Sequence, residues 1–297
     1  RPPLRARAVP VFDDLPPHVE GLMVSWAQHG EDVVLRRLLG ERSSGFYIDI
    51  GANDPTVDSV TKFFSCLGWR GINVEPLPVL HARLADARPR DVNLCAFVSN
   101  GAGPRQFFEV DGAAGLSTGT PELAEQHRKS GRQLKQSFVS STTLAEICDR
   151  HCQNVTIDFL KIDVEGHEEA VLQGADFKRD RPRVLVIESG HNVESWHSFV
   201  IESGYRFGLD DGLNRYYVRD EDVDLLTRLK CPANITDKYI RAEHAYYLRA
   251  GREWNAVGPV LRALTRKLAA AKDANPALKK ALKKALHMTS LRSGTAT

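Results

Sequence analysis

Phe46-Tyr47-Ile48-Asp49-Ile50-Gly51-Ala52-Asn53 reads as a short buried strand that ends on glycine and carries one carboxylate, Asp49, close to its carboxyl end. The same device recurs downstream. Gly71-Ile72-Asn73-Val74-Glu75 is a strand closed by Pro76, and Leu77 to Ala87 has helical spacing. Val92 to Val98 reads as a third strand, and Thr142 to Arg150 as a helix. Ile157 to Asp163 is a strand, His167 to Gln173 a helix, Val184 to Glu188 a strand and Glu194 to Ser203 a helix. Two adjacent strands, Tyr205 to Leu209 and Arg215 to Val218, close the series as a hairpin. Such alternation predicts a doubly wound α/β domain, with a mostly parallel sheet and an antiparallel terminal hairpin. Residues 101–137 interrupt it with glycines, polar groups and one helical patch, Pro121 to Lys129, and read as an irregular insertion.

The flanks have a different character. Residues 1–24 are rich in Pro and Arg and read as an extended arm. A helix is expected from near Ser25 through Gln28-His29-Gly30-Glu31-Asp32 to Leu39, with Val34, Leu35, Leu38 and Leu39 as its apolar stripe. From Glu221 onward the chain reads as helical. Three regions result: an arm with a cap helix over 1–44, the α/β domain over 45–220, and a helical extension over 221–297. Between Val260 and Thr297 nine Lys or Arg face one acid, Asp273, and Pro276 to Leu286 suits a basic amphipathic helix. That stretch suits weak peripheral contact with an anionic membrane face or an acidic partner, or else a solvated helix docked on the domain by Leu278, Leu282 and Leu286.

Composition narrows the functions. The chain has 297 residues, 42% hydrophobic and 26% charged, which is the balance of a protein with a full core and not of a disordered one. Its net charge of +2 supplies no field to recruit nucleic acid. Neither does it contain the Asp/Asn-Pro-Pro-aromatic tetrapeptide of base-amino methylation. Apolar runs such as Val184 to Ile187 are far short of a membrane span. Five irregularly spaced cysteines suggest a reducing, cytoplasmic compartment. Cys148 and Cys152 lack the second pair that a tetrahedral zinc site needs. There is no apolar signal core at the start, and the absence of an initial Met suggests trimming or processing.

The chemistry-bearing residues sit at strand ends. Gly51 is expected to let a ligand approach the backbone, with Asp49 beside it. No second or third glycine follows, so the cradle for a dinucleotide pyrophosphate is missing. Glu75 is placed to accept both hydroxyls of an adenosine ribose. Lys161-Ile162-Asp163-Val164-Glu165-Gly166-His167-Glu168 runs a hydrophobic strand into three carboxylates and an imidazole, and Glu188 and His191 follow the next strand. A helix N-terminus explains some of these acids, but less naturally Asp163 inside the strand. Asp163, Glu165, Glu168 and Glu188 suit either oxygen ligation of a divalent cation such as magnesium or pairing with Lys161, Arg183 or substrate hydroxyls. A nucleoside ligand without pyrophosphate, S-adenosylmethionine (SAM) foremost, fits Asp49, Gly51 and Glu75 together.

Taken in order, these segments resemble the FkbM family of SAM-dependent methyltransferases. The resemblance runs from Ser25 to Lys238 and rests on Ser25-Trp26-Ala27-Gln28-His29-Gly30-Glu31-Asp32, Gly45 to Asn53, Ser59-Val60-Thr61, Gly68-Trp69-Arg70-Gly71, Asn73-Val74-Glu75-Pro76, Asp158 to Gly166 and Arg181 to Glu188. It implies a class I, Rossmann-like methyltransferase fold and methylation of a hydroxyl oxygen on a sugar, glycan or polyketide. Asp211 to Val218 with Pro232-Ala233-Asn234 is similar to the branch associated with glycan biosynthesis. The family pattern often has a small residue where His167 stands, so no base role carries over to it.

The expected assignment follows. Asp49 and Gly51 hold the methionine end of SAM, Glu75 the ribose, and the strand end from Asn93 to Ala96 the adenine side, with Asn53 and Pro76 also in contact with the cofactor. Gln28, Glu31 and Asp32 close over the cofactor, and Asp163 and Glu165 face the methyl group. Glu165, Glu188 or His191 takes the hydroxyl proton; a metal at the carboxylates is the alternative way to acidify it. Two other functions compete: an NAD-linked sugar oxidoreductase on the same fold, and a non-catalytic glycan- or lipid-binding module. The oligomeric state is open, a homodimer included.

Overall fold

The computed structural model describes residue 12, residues 14–191 and residues 193–252. Two short strands, β1 (His18–Val19) and β2 (Leu22–Ser25), pair antiparallel ahead of helix α1 (Glu31–Leu39). The helix expected from near Ser25 thus begins only at Glu31. Ser25 belongs to a strand, and Gly30 sits at φ 79°, a left-handed conformation that a right-handed helix cannot run through. The acids of the first turn reach backwards instead. Asp32 accepts the Trp26 N–H at 2.9 Å, and Glu31 accepts the His29 N–H at 2.8 Å.

The alternation follows: β3 (Phe46–Ile50), α2 (Lys62–Leu67), β4 (Arg70–Val74), α3 (Pro78–Ala87) and β5 (Val92–Leu94). Next come β6 (Phe97–Val98), β7 (Gly103–Val110), α4 (Pro121–Lys129) and β8 (Leu134–Thr142). Then α5 (Leu144–His151), β9 (Phe159–Ile162), α6 (Glu168–Gln173), β10 (Val184–Glu188) and α7 (Val193–Glu202) resume the βα pattern. Strands β11 (Tyr205–Asp210) and β12 (Asn214–Arg219) complete the main sheet. Its order is β11-β12-β10-β9-β3-β4-β5, with β12 antiparallel to both neighbours and the rest parallel. This mixed α/β sheet is compatible with a Rossmann-like methyltransferase fold. No helix among the described residues is long and apolar enough to cross a membrane.

Three expectations need correction. The strand foreseen over Val92 to Val98 is broken: β5 stays in the main sheet, whereas β6 leaves it to pair with β8. The insertion at 101–137 is not irregular, because β7 and β8 form an antiparallel ladder from Gly103↔Ser141 to Val110↔Leu134. Both strands expose polar side chains on their two faces, so no period-two apolar signal marks them. After Glu221 the chain is not continuously helical. Residues 220–228 form 3-10 turns, Asn234 caps a short turn at Ile235–Asp237, and β13 (Tyr239–Arg241) pairs parallel to β2. Arg183 and Arg219 bind the Asp222 carboxylate, and Arg37 binds that of Asp237, holding the backbone in turns. Compact packing of the first unit extends through Ala242; of the second, residues 243–252 are described and helical. The basic stretch after Val260 and most of the Pro/Arg-rich arm lie outside the described residues.

Strands buried on both faces dominate the core. Ile48 and Ile50 of β3 join Leu160, Ile162, Leu185 and Ile187 against α5, α6 and α7. On the opposite face Tyr47 stacks on Phe159 at 5.6 Å, and Phe64 packs against Phe159 and Trp69. Cys148 and Cys152 are buried unlinked on the first face, with Ile48 and Leu160, and all five cysteines are free.

Asp49 shares its face with Tyr47, and a buried guanidinium connects the two. Arg88 donates to the Tyr47 hydroxyl (2.9 Å), the Thr61 hydroxyl (3.0 Å), the Pro55 carbonyl (2.7 Å) and the Ser59 hydroxyl (3.1 Å). The Thr61 hydroxyl in turn donates to Asp49 at 3.0 Å, and Tyr47 donates to Asp91 at 2.6 Å. The charge is thus balanced by two carboxylates, each one hydroxyl away. Replacing Arg88 by Met takes this donor from four acceptors, the Pro55 carbonyl and the Tyr47, Ser59 and Thr61 hydroxyls, and should lower the unfolding free energy by roughly 3 kcal/mol. Urea denaturation followed by circular dichroism measures this; an unchanged midpoint would contradict the hub.

Candidate active site

Strand order reverses at β3, with β4 and β5 on one side and β9 and β10 on the other. In open α/β sheets ligands bind beyond the carboxyl ends of strands at such a point. A cavity of about 740 Å³ lies there. Asp49, Gly51, Asn53, Glu75, Pro76 and Ala96 line it, as do Gln28, Asp163, Glu165 and Glu188.

Asp49 is almost completely buried. Its Oδ2 accepts the Thr61 hydroxyl, whereas Oδ1, 3.5 Å from Lys161 Nζ, is buried and receives no hydrogen bond. A buried acceptor left open beside a cavity is the mark of a site built for a donor. Glu75 is buried at the end of β4, accepting the Asn53 N–H on Oε2 and the Leu77 N–H on Oε1, each at 2.9 Å. Burial raises its carboxyl above the ordinary value, with the two N–H groups pulling the other way. Each oxygen keeps a lone pair for a further donor.

Gly51 has a reason different from the one expected. At φ 80°, a Cβ on it would stand 1.8 Å from the Asp163 carbonyl oxygen. The glycine lets β3 approach the end of β9; it is the protein's own backbone that needs the room. Lys161 seals this junction by donating to the Gly51 carbonyl at 3.1 Å and pairing with Asp163 at 3.2 Å. Burial would lower its pKa, but Asp163 and Asp49 outweigh that and raise it, so Lys161 stays charged.

Beyond β9 the carboxylates crowd. Oxygens of Asp163, Glu165 and Glu188 come within 4.8 Å of one another. That spacing suits a shared divalent cation, and retained protons relieve it equally. Burial, then Asp163 and Glu168, push Glu165 up to about 7. Burial also raises Glu168 to about 7, against the Val164 and Gly166 N–H groups that it accepts. Glu188 is raised furthest, by burial first and then by Asp163, Glu165 and Glu168; its Oε2 is buried without a partner. His191 is outside the lining, with Nε2 at 3.9 Å from Glu165 Oε2.

The cap expected from Glu31 and Asp32 is not there. Glu31 accepts from Asn214, and Asp32 from Ser25, both in buried packing away from the cavity. Asn93 likewise spends its side chain on Asn73 and the Arg88 carbonyl. Two lining segments were not foreseen: 57–60, held by Arg88, and 112–117 of the insertion. The small residues Gly112-Ala113-Ala114-Gly115 were visible in the sequence, but no periodicity tied them to the strand ends.

The family model described as "Methyltransferase FkbM domain" matches residues 49–207, which carry nearly all of these groups. No curated protein matches the chain.

The raised carboxyls make stability depend on pH with a definite sign. Folded Glu188 keeps a proton that the unfolded chain releases above about 4.5, so stability falls as pH rises beyond that value. Glu188→Gln removes this liability. Its melting temperature should gain on that of the native chain progressively from pH 5 to pH 9 (roughly, two units either side of neutrality). A difference independent of pH would show that Glu188 ionises normally.

Proposed function

We propose that this chain, which belongs to the FkbM methyltransferase family, uses SAM to methylate a hydroxyl oxygen of a sugar, glycan or related natural product. The observation that carries the reading is the charge of the cavity. Asp49, Asp58, Glu75 and Asp163, with Glu165 partly ionised near neutrality and Glu188 neutral, line it against one ammonium, Lys161, among the described residues. Such a lining favours a cationic ligand and opposes a pyrophosphate, which speaks for a sulfonium donor over a dinucleotide.

The residues present suit SAM. Asp49 Oδ1 is an open acceptor for an ammonium or N–H donor. Glu75 takes the two ribose hydroxyls, Pro76 and Ala96 flank the adenine, and Gln28 with Asn53 completes the enclosure. When bound, SAM supplies an electrophilic methyl group on a cationic sulfur. What the protein then contributes is alignment of the acceptor oxygen and removal of its proton. Glu165, raised to about 7, is ionised often enough and basic enough to take that proton near neutrality. His191, a third exposed and 3.9 Å from Glu165, relays it to solvent. Glu188, protonated at neutral pH, donates a hydrogen bond toward Asp163 or the acceptor and limits the negative charge beside the reacting oxygen.

Calorimetry on Glu75→Ala should show SAM binding weakened roughly tenfold or more, the scale of lost charge-assisted hydrogen bonds. Thermal shift with SAM and NAD side by side separates the two cofactor classes: stabilisation by NAD alone would reject the methyl-transfer reading. With fractionated glycans and labelled SAM, Glu165→Gln should lose at least roughly a hundredfold in turnover while still binding SAM. In the native enzyme kcat should rise with pH and level off above about 7, as Glu165 loses its proton. A profile flat from pH 5 to pH 8 (roughly, either side of that value) would remove Glu165 from the base role.

A further inference from the structure

Glu165 occupies a strained position. Its φ is 51°, and Gly166 follows at 85°, so two successive residues are left-handed where only the second is free to be. A non-glycine residue persists in that region when its surroundings over-determine it. On one side Glu168 Oε1 accepts the Val164 N–H at 3.2 Å and the Gly166 N–H at 3.1 Å. On the other side the donors come from the insertion. Thr118 Oγ1 donates to the Glu165 carbonyl at 2.7 Å, and Thr120 Oγ1 donates to the Gly166 carbonyl at 3.1 Å.

Both threonines are committed to this task. Thr118 is fully buried, and its backbone is locked by reciprocal bonds with Phe108 of β7, at 2.9 and 3.0 Å. Its hydroxyl oxygen also accepts the Thr120 N–H at 2.9 Å. Thr120 is the N-cap of α4, where a threonine hydroxyl ordinarily accepts a helix N–H; here it makes no cap bond and turns to Gly166. Leu123 of the same helix fills the space where a Gly166 Cβ would stand, 2.5 Å from its Cδ1. Thr118 itself does not line the cavity, though its neighbour Ser117 does.

We propose that Thr118 is a positioning residue for Glu165: its hydroxyl, backed by Thr120, holds the left-handed turn that aims the Glu165 carboxylate into the cavity. This rests on the reading of Glu165 as the base. The insertion is then an arm of the active site, joining the wall at 112–117 to the proton acceptor in one rigid piece.

Thr118→Val removes the donor at constant shape, and Thr118→Ser keeps it. With SAM and the methyl acceptor, Thr118→Val should lower kcat roughly tenfold or more, the cost of a displaced catalytic group, while the Kd for SAM stays within about twofold. Thr118→Ser should recover most of the rate. Amide hydrogen exchange at Val164 and Gly166, followed by NMR without acceptor, should accelerate roughly tenfold in Thr118→Val and stay near native in Thr118→Ser. The exchange result tests the clamp even if Glu165→Gln proves fully active, an outcome that would sink the base assignment alone. Should Thr118→Val fail to fold, the half-buried Thr120→Val is read by the same exchange and kcat measurements. Native exchange and kcat in the valine variant, or equal losses in valine and serine variants, would overturn the proposal.

Discussion

The Lys161 ammonium holds together the part of the sheet on which everything else is arranged. It is buried where β9 meets β3, and removing a cation from water there is costly unless anions and carbonyls replace the solvent. Asp163, Asp49 and the Gly51 carbonyl do so, at 3.2, 3.5 and 3.1 Å. In return the lysine makes a dense set of carboxylates tolerable at the ends of largely apolar strands. The approach of β3 to Asp163 is so close that residue 51 has no room for a Cβ. Backbone contact and ion pairing therefore enforce the same geometry, and the cavity inherits its shape from both.

The carboxylates beyond this junction differ in their surroundings, although their chemistry is the same. Glu75 is tied by two N–H groups, Glu168 is tied by two more and serves the backbone, and Glu165 stands on a left-handed residue facing space. Glu188 is the one burial and neighbouring acids press hardest to stay neutral. A site with this spread can hold an accepted proton, donate one and anchor a cation at the same pH.

How much of this can be read from sequence depends on the range of each interaction. Val184–Glu188 and Phe46–Ile50 are legible because strands covered on both faces leave continuous apolar runs. The acids at their ends stand out for the same reason, as charges abutting a core. The β7–β8 ladder is illegible because its polar, two-sided strands resemble a loop. Arg88 and Thr118 are harder still. Each acts through partners far away in the chain, and nothing in the neighbouring residues distinguishes a buried arginine or threonine from a surface one. Gly51 was conspicuous in the sequence, yet the atom demanding its lack of a side chain belongs to Asp163 and became evident only when the strands were brought together.

The small sheet has a bearing on how the chain is made. Strand β2 lies between β1 and β13, so Met23 faces Tyr239 and Val24 faces Ile240. Arg36 and Arg37 of α1 fasten Asp237, just ahead of β13, to the same corner. During synthesis β2, with Met23 and Val24 destined for full burial, emerges more than 200 residues ahead of its partner strand near residue 240 and waits for it. Pairing over such a separation is entropically slow. Meanwhile an apolar strand edge stays open to any other extended chain, the exposure from which misassembly starts.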